Sequence, residues 1–163
     1  MKKLTVFIFA ILTGIVSAEM PVTTVILVRH AEKVMDAGDD PGLTDAGQTR
    51  AERLALLLSA CNLKGIYSSQ WMRSRLTAAP TAKEFGLSVT QVDAKESKKL
   101  AAEILLQHAG QTVLVVGHSD TLSEIVHALG GGSIPDIGDN DYDNLFVINV
   151  YAPQKASVLL LKY

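Results

Sequence analysis

Four side chains of this sequence have the types and positions to handle an anion. Arg29 and His30 end an apolar run, Val25-Ile-Leu-Val28. His118 follows a second such run, Thr112-Val-Leu-Val-Val116, after a single glycine, and Arg73 follows the polar pair Ser68-Ser69. Guanidinium groups grip tetrahedral oxyanions bidentately, phosphate above all. A neutral imidazole is a competent nucleophile toward phosphorus, and a neighbouring cation lowers its pKa so that it stays neutral near pH 7. The same cations stabilise charge spread over the equatorial oxygens during phosphoryl transfer, so no metal ion is required and none is expected. The sequence contains no G-x-x-x-x-G-K-[ST] loop, which argues against nucleotide hydrolysis of the P-loop kind.

These residues can meet only if the chain places the ends of several strands together. Val22 to Val28 reads as a buried strand, and a helix runs from Thr44, its N-cap, to about Ala60. Gly65 to Ser68 is a short strand, Met72 to Phe85 a helix closed by Gly86, and Leu87 to Val92 another strand. Ser97 to Ala109 is helical, Thr112 to Val116 is a strand, and Asp120 to Leu129 is a helix. Asn144 to Val150 and Ala156 to Leu161 close the chain as strands, with Pro153 in the turn between them. The alternation of strand and helix predicts an α/β three-layer sandwich, a mostly parallel sheet with helices on both faces. The non-alternating apolar strands agree with a sheet covered on both sides. In such sheets ligands bind outside the carboxyl ends of the strands, which is where Arg29, His30, Ser69, Arg73 and His118 fall. The Gly- and Asp-rich stretch from Gly130 to Asp143 reads as a plain surface loop, with a rim of the site as the alternative.

The chain has 163 residues, 48% hydrophobic and 20% charged, which suits one globular domain. A net charge of −2 gives no ground for nucleic-acid binding. The opening segment, MKK followed by LTVFIFAILTGIV and then Ser17-Ala18, has the layout of a secretory signal peptide cleaved after Ala18. Its apolar run of about 13 residues is short of the roughly 18 or more of a membrane span. Residues 19–163 are then a single exported domain, periplasmic or secreted, without a stable membrane span. The single Cys61 cannot form an internal disulfide and reads as a small core residue.

Leu27-Val-Arg29-His30-Ala-Glu32 resembles the R-H-G/A-E signature of the histidine phosphatase (phosphoglycerate mutase-like) superfamily. Leu43-Thr-Asp-Ala-Gly47 is similar to that family's L-T-x-x-G. Ser69-x-x-x-Arg73-x-x-x-Thr77-Ala78 and Gly117-His118-Ser119 are similar to its two later blocks, in family order. The resemblance implies a phosphomonoester hydrolase that needs no cofactor. His30 would become phosphohistidine, with Arg29, Arg73 and His118 completing the phosphate pocket. Ser69 and Thr77 would position Arg73 and its helix, while Arg75 matches no fixed family position and reads as a solvent-facing or substrate-rim residue. Arg50 stands where the family often has Gln and receives no catalytic role; Glu32 and Lys33 receive none either. The general acid is open between Asp120, ranked first, and Asp93, with Glu96 nearby. Substrates would be small phosphorylated molecules or phosphoproteins. The alternative is a protein of the same fold that binds phosphate or a phosphosugar and turns it over weakly.

Two other chemistries fail. Gly117-His118-Ser119-Asp120 after a strand mimics a serine-hydrolase elbow, but the one later histidine, His127, lies roughly 12 Å along the same helix. A metal site built from His30, His108, His118 and His127 would set a cation beside two guanidiniums.

Overall fold

The structure, a computed structural model, describes residues 21–35 and 38–163. The expected signal segment, residues 1–18, lies outside the described residues. The elements follow the predicted order: β1 (Thr23–Arg29), α1 (Asp45–Leu58), β2 (Leu63–Ser69), α2 (Met72–Phe85), β3 (Val89–Val92), α3 (Ser97–Gln107), β4 (Thr112–Gly117), α4 (Ser119–Ala128), β5 (Asn144–Ala152) and β6 (Lys155–Lys162). Local chemistry sets the boundaries. The Thr44 hydroxyl accepts the Gly47 N–H at 3.1 Å and starts α1. Gly86, in the left-handed region at φ 62°, closes α2.

The strands form one sheet in the order β3-β2-β4-β1-β5-β6, with the first four parallel and the last two antiparallel. Successive strand side chains point to opposite faces, so both faces need cover. Ile26 and Val28 of β1 pack with Leu54 and Leu58 of α1 and Ala78 and Ala82 of α2. Val25 and Leu27 pack with Leu100 and Ile104 of α3 and Leu122, Ile125 and Val126 of α4. Each fully buried Leu, Ile or Val contributes about 1.5–3 kcal/mol relative to exposure, and these two clusters hold the three layers together.

The topology positions the site. The helix after β1 covers one face, and the helix after the neighbouring β4 covers the other. Chains that leave adjacent strands toward opposite faces open a crevice at the strands' carboxyl ends. Cys61 is half-buried against the cluster on the α1 and α2 face, which suits its reading as a core residue. Among the described residues, no helix is long and apolar enough to cross a membrane.

Candidate active site

The parallel register sets Arg29 of β1 beside Gly117 of β4, and the His30 N–H donates to the Gly117 carbonyl at 2.9 Å. Ser68 of β2 lies beside Val116 on the other side of β4, so Ser69 also reaches the crevice. Three neighbouring strand ends thus present His30, His118 and Ser69 together. The two imidazole rings stand edge to face, with centroids 5.2 Å apart and planes inclined at 61°.

Each imidazole is fixed by one hydrogen bond. His30 Nδ1 lies 2.8 Å from the Ala31 carbonyl oxygen. A carbonyl only accepts, so Nδ1 carries the proton and Nε2 keeps its lone pair. His118 Nε2 lies 2.8 Å from Ser69 Oγ, which donates to Ser74 Oγ at 2.8 Å. The Thr121 hydroxyl accepts the His118 N–H at 2.9 Å. Thr77, fully buried on α2, accepts the Ala31 N–H at 2.9 Å and donates to the Arg73 carbonyl at 2.8 Å. The residue after His30 is therefore tied to the helix that carries Arg73. Ser69 and Thr77 both bond the helix that bears Arg73, Ser69 at Ser74 and Thr77 at the Arg73 carbonyl.

Arg29 is buried, with one Nη donating to the Gly138 and Asp139 carbonyls at 2.7 and 3.0 Å. Its guanidinium lies 4.4 Å from the centroid of Tyr142, and the Tyr142 ring is 6.0 Å from that of His30. Arg73 lies 5.1 Å from the centroid of Trp71. The Nε–H groups of Arg29 and Arg73 are buried without a hydrogen-bond partner among the described residues. Buried donors of this kind call for an acceptor, and an oxyanion between the two arginines would supply it. The segment from Gly130 to Asp143, read as a plain surface loop, is instead a wall of the site. Its composition signals a turn-rich loop, while its contacts with Arg29 depend on a strand more than a hundred residues earlier.

Burial, the nearby His118 and the two arginines push His30 down to about 3, against the opposing pull of the Ala31 carbonyl. Burial and Arg73 push His118 down to about 4, with Asp120 opposing. Burial lowers Arg73 also, and Asp40 and Asp120 draw it back. At neutral pH the crevice therefore holds two neutral imidazoles between two cations, a field suited to a phosphate dianion.

The two candidate acids sit differently. Asp120 is exposed at the start of α4, where its Oδ1 accepts the Thr121 N–H at 2.9 Å, and its charge acts on both His118 and Arg73. Asp93 is exposed just past β3, and its Oδ1 accepts the Lys95 N–H at 2.9 Å. It borders a cavity of about 10 Å³ shared with Ser69, Ser97, Gly117 and Thr121. Lys33, read without a role, adds positive charge that acts on His118. Arg75 is half-buried on α2. His108 bonds the Tyr67 hydroxyl at 3.0 Å and Gln111 at 2.9 Å, and His127 is exposed on α4. Among the described residues no cluster of His, Cys, Asp and Glu is arranged to hold a metal ion. A larger cavity, about 540 Å³, lies between α1 and α2 and includes none of the site residues.

Sequence reasoning missed Tyr142, Trp71 and the pairing of Glu32 with Arg50. A signal for the last was available, since an Arg replaces the family's frequent Gln while an acid follows the His. Nothing local marked the two aromatic residues.

The family profile described as histidine phosphatase superfamily, branch 1, matches residues 25–95. The fold extends the likeness over most of the chain. A mycobacterial glucosyl-3-phosphoglycerate phosphatase superposes with TM-score 0.68 at 16% identity, covering 87% of this chain and 98% of that one. A protein of Agrobacterium tumefaciens assigned as the phosphohistidine phosphatase SixA superposes with TM-score 0.62 at 25% identity, covering 86% and 98%. Residues 25–95 thus resemble the histidine phosphatase superfamily, and the fold over most of the chain is similar to that of these phosphatases. A further member of the fold, the protein histidine phosphatase SixA in complex with tungstate, superposes with TM-score 0.69 at 16% identity, covering 85% and 96%. No curated protein matches the chain.

Proposed function

We propose that this chain is a member of the histidine phosphatase superfamily and hydrolyses phosphomonoesters through a phosphohistidine on His30. The arrangement of His30 carries the reading: its Nδ1 proton is committed to the Ala31 carbonyl, and Nε2 keeps an unprotonated lone pair near Arg29 and Arg73, whose buried Nε–H groups call for an acceptor. Nε2 attacks phosphorus, the P–O bond to the leaving group breaks, and the leaving oxygen takes a proton. Water then attacks the phosphohistidine, releasing orthophosphate and the free imidazole. Arg29 and Arg73 hold the equatorial oxygens with His118 lining the pocket beside His30, and the fixed cations make a metal ion unnecessary. Asp120 is the carboxylate proposed to supply the leaving-group proton, because its charge acts on His118 and Arg73. Asp93, held at the end of β3, ranks behind it.

The substrates proposed are small phosphorylated molecules or phosphoproteins, the two kinds named for the similar phosphatases. Export is proposed from the sequence of the first 18 residues alone, and N-terminal sequencing of the protein recovered from an expressing cell tests it.

The deciding experiment incubates wild type and His30→Ala with p-nitrophenyl phosphate and with a radiolabelled phosphodonor, followed by an acid-lability test of the label. Turnover and an acid-labile phosphoenzyme in wild type, both absent from His30→Ala, are expected. Neither product nor phosphoenzyme from a wild type that still binds orthophosphate would make the protein a phosphate binder instead.

A further inference from the structure

Two residues beyond His30 the chain carries a carboxylate, Glu32, in a site whose ligand is an anion. A negative charge so close to the nucleophile opposes phosphate entry unless it is cancelled. Arg50 of α1 meets it with three hydrogen bonds. Its Nε lies 3.0 Å from each Glu32 oxygen, and one Nη lies 2.7 Å from Oε1. Its other Nη donates to the Tyr163 carbonyl at 3.0 Å, and the Tyr163 ring lies 5.7 Å below the guanidinium. The pair is mostly shielded, with side-chain exposures of 22% and 23%. The Glu32 backbone is fixed as well. Its carbonyl accepts the Thr44 N–H at 2.9 Å, and a Cβ at Gly47 would lie 2.3 Å from that oxygen, so α1 can start there only with glycine. Burial alone would raise the Glu32 carboxyl, but the Arg50 hydrogen bonds hold it below the usual range. The carboxylate is therefore ionised, and its field reaches His30.

We infer that Arg50 is the charge-balancing residue of the phosphate site: by neutralising Glu32 it lets the anion meet Arg29 and Arg73 unopposed. Arg50 touches neither the reacting atoms nor the ligand and acts through Glu32. Arg50→Gln leaves the Glu32 carboxylate without its partner, two residues from His30. Arg50→Lys keeps the positive charge and gives up the forked hydrogen bonds. Glu32→Gln combined with Arg50→Gln removes both charges.

This inference rests on the phosphate site proposed above, and direct binding of orthophosphate separates the two. The probe is orthophosphate, titrated calorimetrically into each folded variant at low and at moderate ionic strength. Arg50→Gln is expected to weaken binding about three- to tenfold at low salt, the scale of one unscreened charge acting on a dianion across a few residues. The loss should shrink as salt screens it. Arg50→Lys and the double variant should stay within about twofold of wild type on the same charge count. A purely structural pair predicts the reverse order, with the double variant as weak as Arg50→Gln or weaker and no dependence on salt, and that result overturns the inference. Equal affinity in Arg50→Gln and wild type also overturns it. No binding by wild type overturns the phosphate site itself.

Discussion

Thr77 offers the sharpest test of how the site is held. Its hydroxyl accepts the Ala31 N–H and donates to the Arg73 carbonyl, and Thr77 and Ala31 are both fully buried. Thr77→Val keeps the side chain's shape and removes the acceptor, leaving the Ala31 N–H unpaired where water does not reach. The Arg73 carbonyl keeps its place in the helix ladder, so the cost falls on one orphaned donor, about 1–3 kcal/mol. For a domain of this size that lowers the melting temperature by roughly 2–12 °C. Urea unfolding measures it directly as a fall in midpoint at unchanged slope. The same bond links the segment of His30, the proposed nucleophile, to the helix bearing Arg73. Its loss lets the two drift, and a misplacement of about 1 Å can cost about 100-fold in rate. Turnover of p-nitrophenyl phosphate should fall at least about tenfold, while Thr77→Ser restores both stability and rate. Wild-type stability in Thr77→Val would refute the reasoning. So would a Thr77→Ser variant as impaired as Thr77→Val, because the serine hydroxyl can make both bonds.

Further measurements address the electrostatics. By NMR, the imidazoles of His30 and His118 should titrate near pH 3 and 4 and stay neutral between pH 5 and 8. Both folded values lie below the unfolded value of about 6.5. The unfolded chain therefore takes up these protons first as pH falls, and stability declines from about pH 6.5 downward. His30→Gln should flatten that decline in thermal melts, whereas an unchanged slope would mean that His30 is not held neutral. Tyr142→Leu removes the ring against Arg29 and should weaken orthophosphate binding about two- to fivefold, the worth of a partly exposed cation–π contact. Tyr142→Phe should bind as wild type does in the same calorimetric titration.

Much of the architecture was legible because its signals are local. Thr44 and Gly86 mark helix ends by their own side-chain and backbone chemistry, and TVILV and TVLVV mark strands buried on both faces by composition alone. The sequence also marked the candidate site groups, since Arg29 and His30 are adjacent and His118 follows its strand after one glycine. It determined, by itself, a layered α/β sheet and the kinds of side chain waiting at its strand ends.

The tertiary structure decided which groups meet. Glu32 and Arg50 come together because α1 starts against the Glu32 backbone, and Arg29 meets Gly138, Asp139 and Tyr142 because the segment leading into β5 crosses the crevice. Ser69 reaches His118 because β2 lies next to β4 in the sheet rather than next to β1. Periodicity and capping report only on residues within a turn or two of each other. A contact between distant segments is set by strand order and by which face each crossover covers, and those belong to the folded chain as a whole.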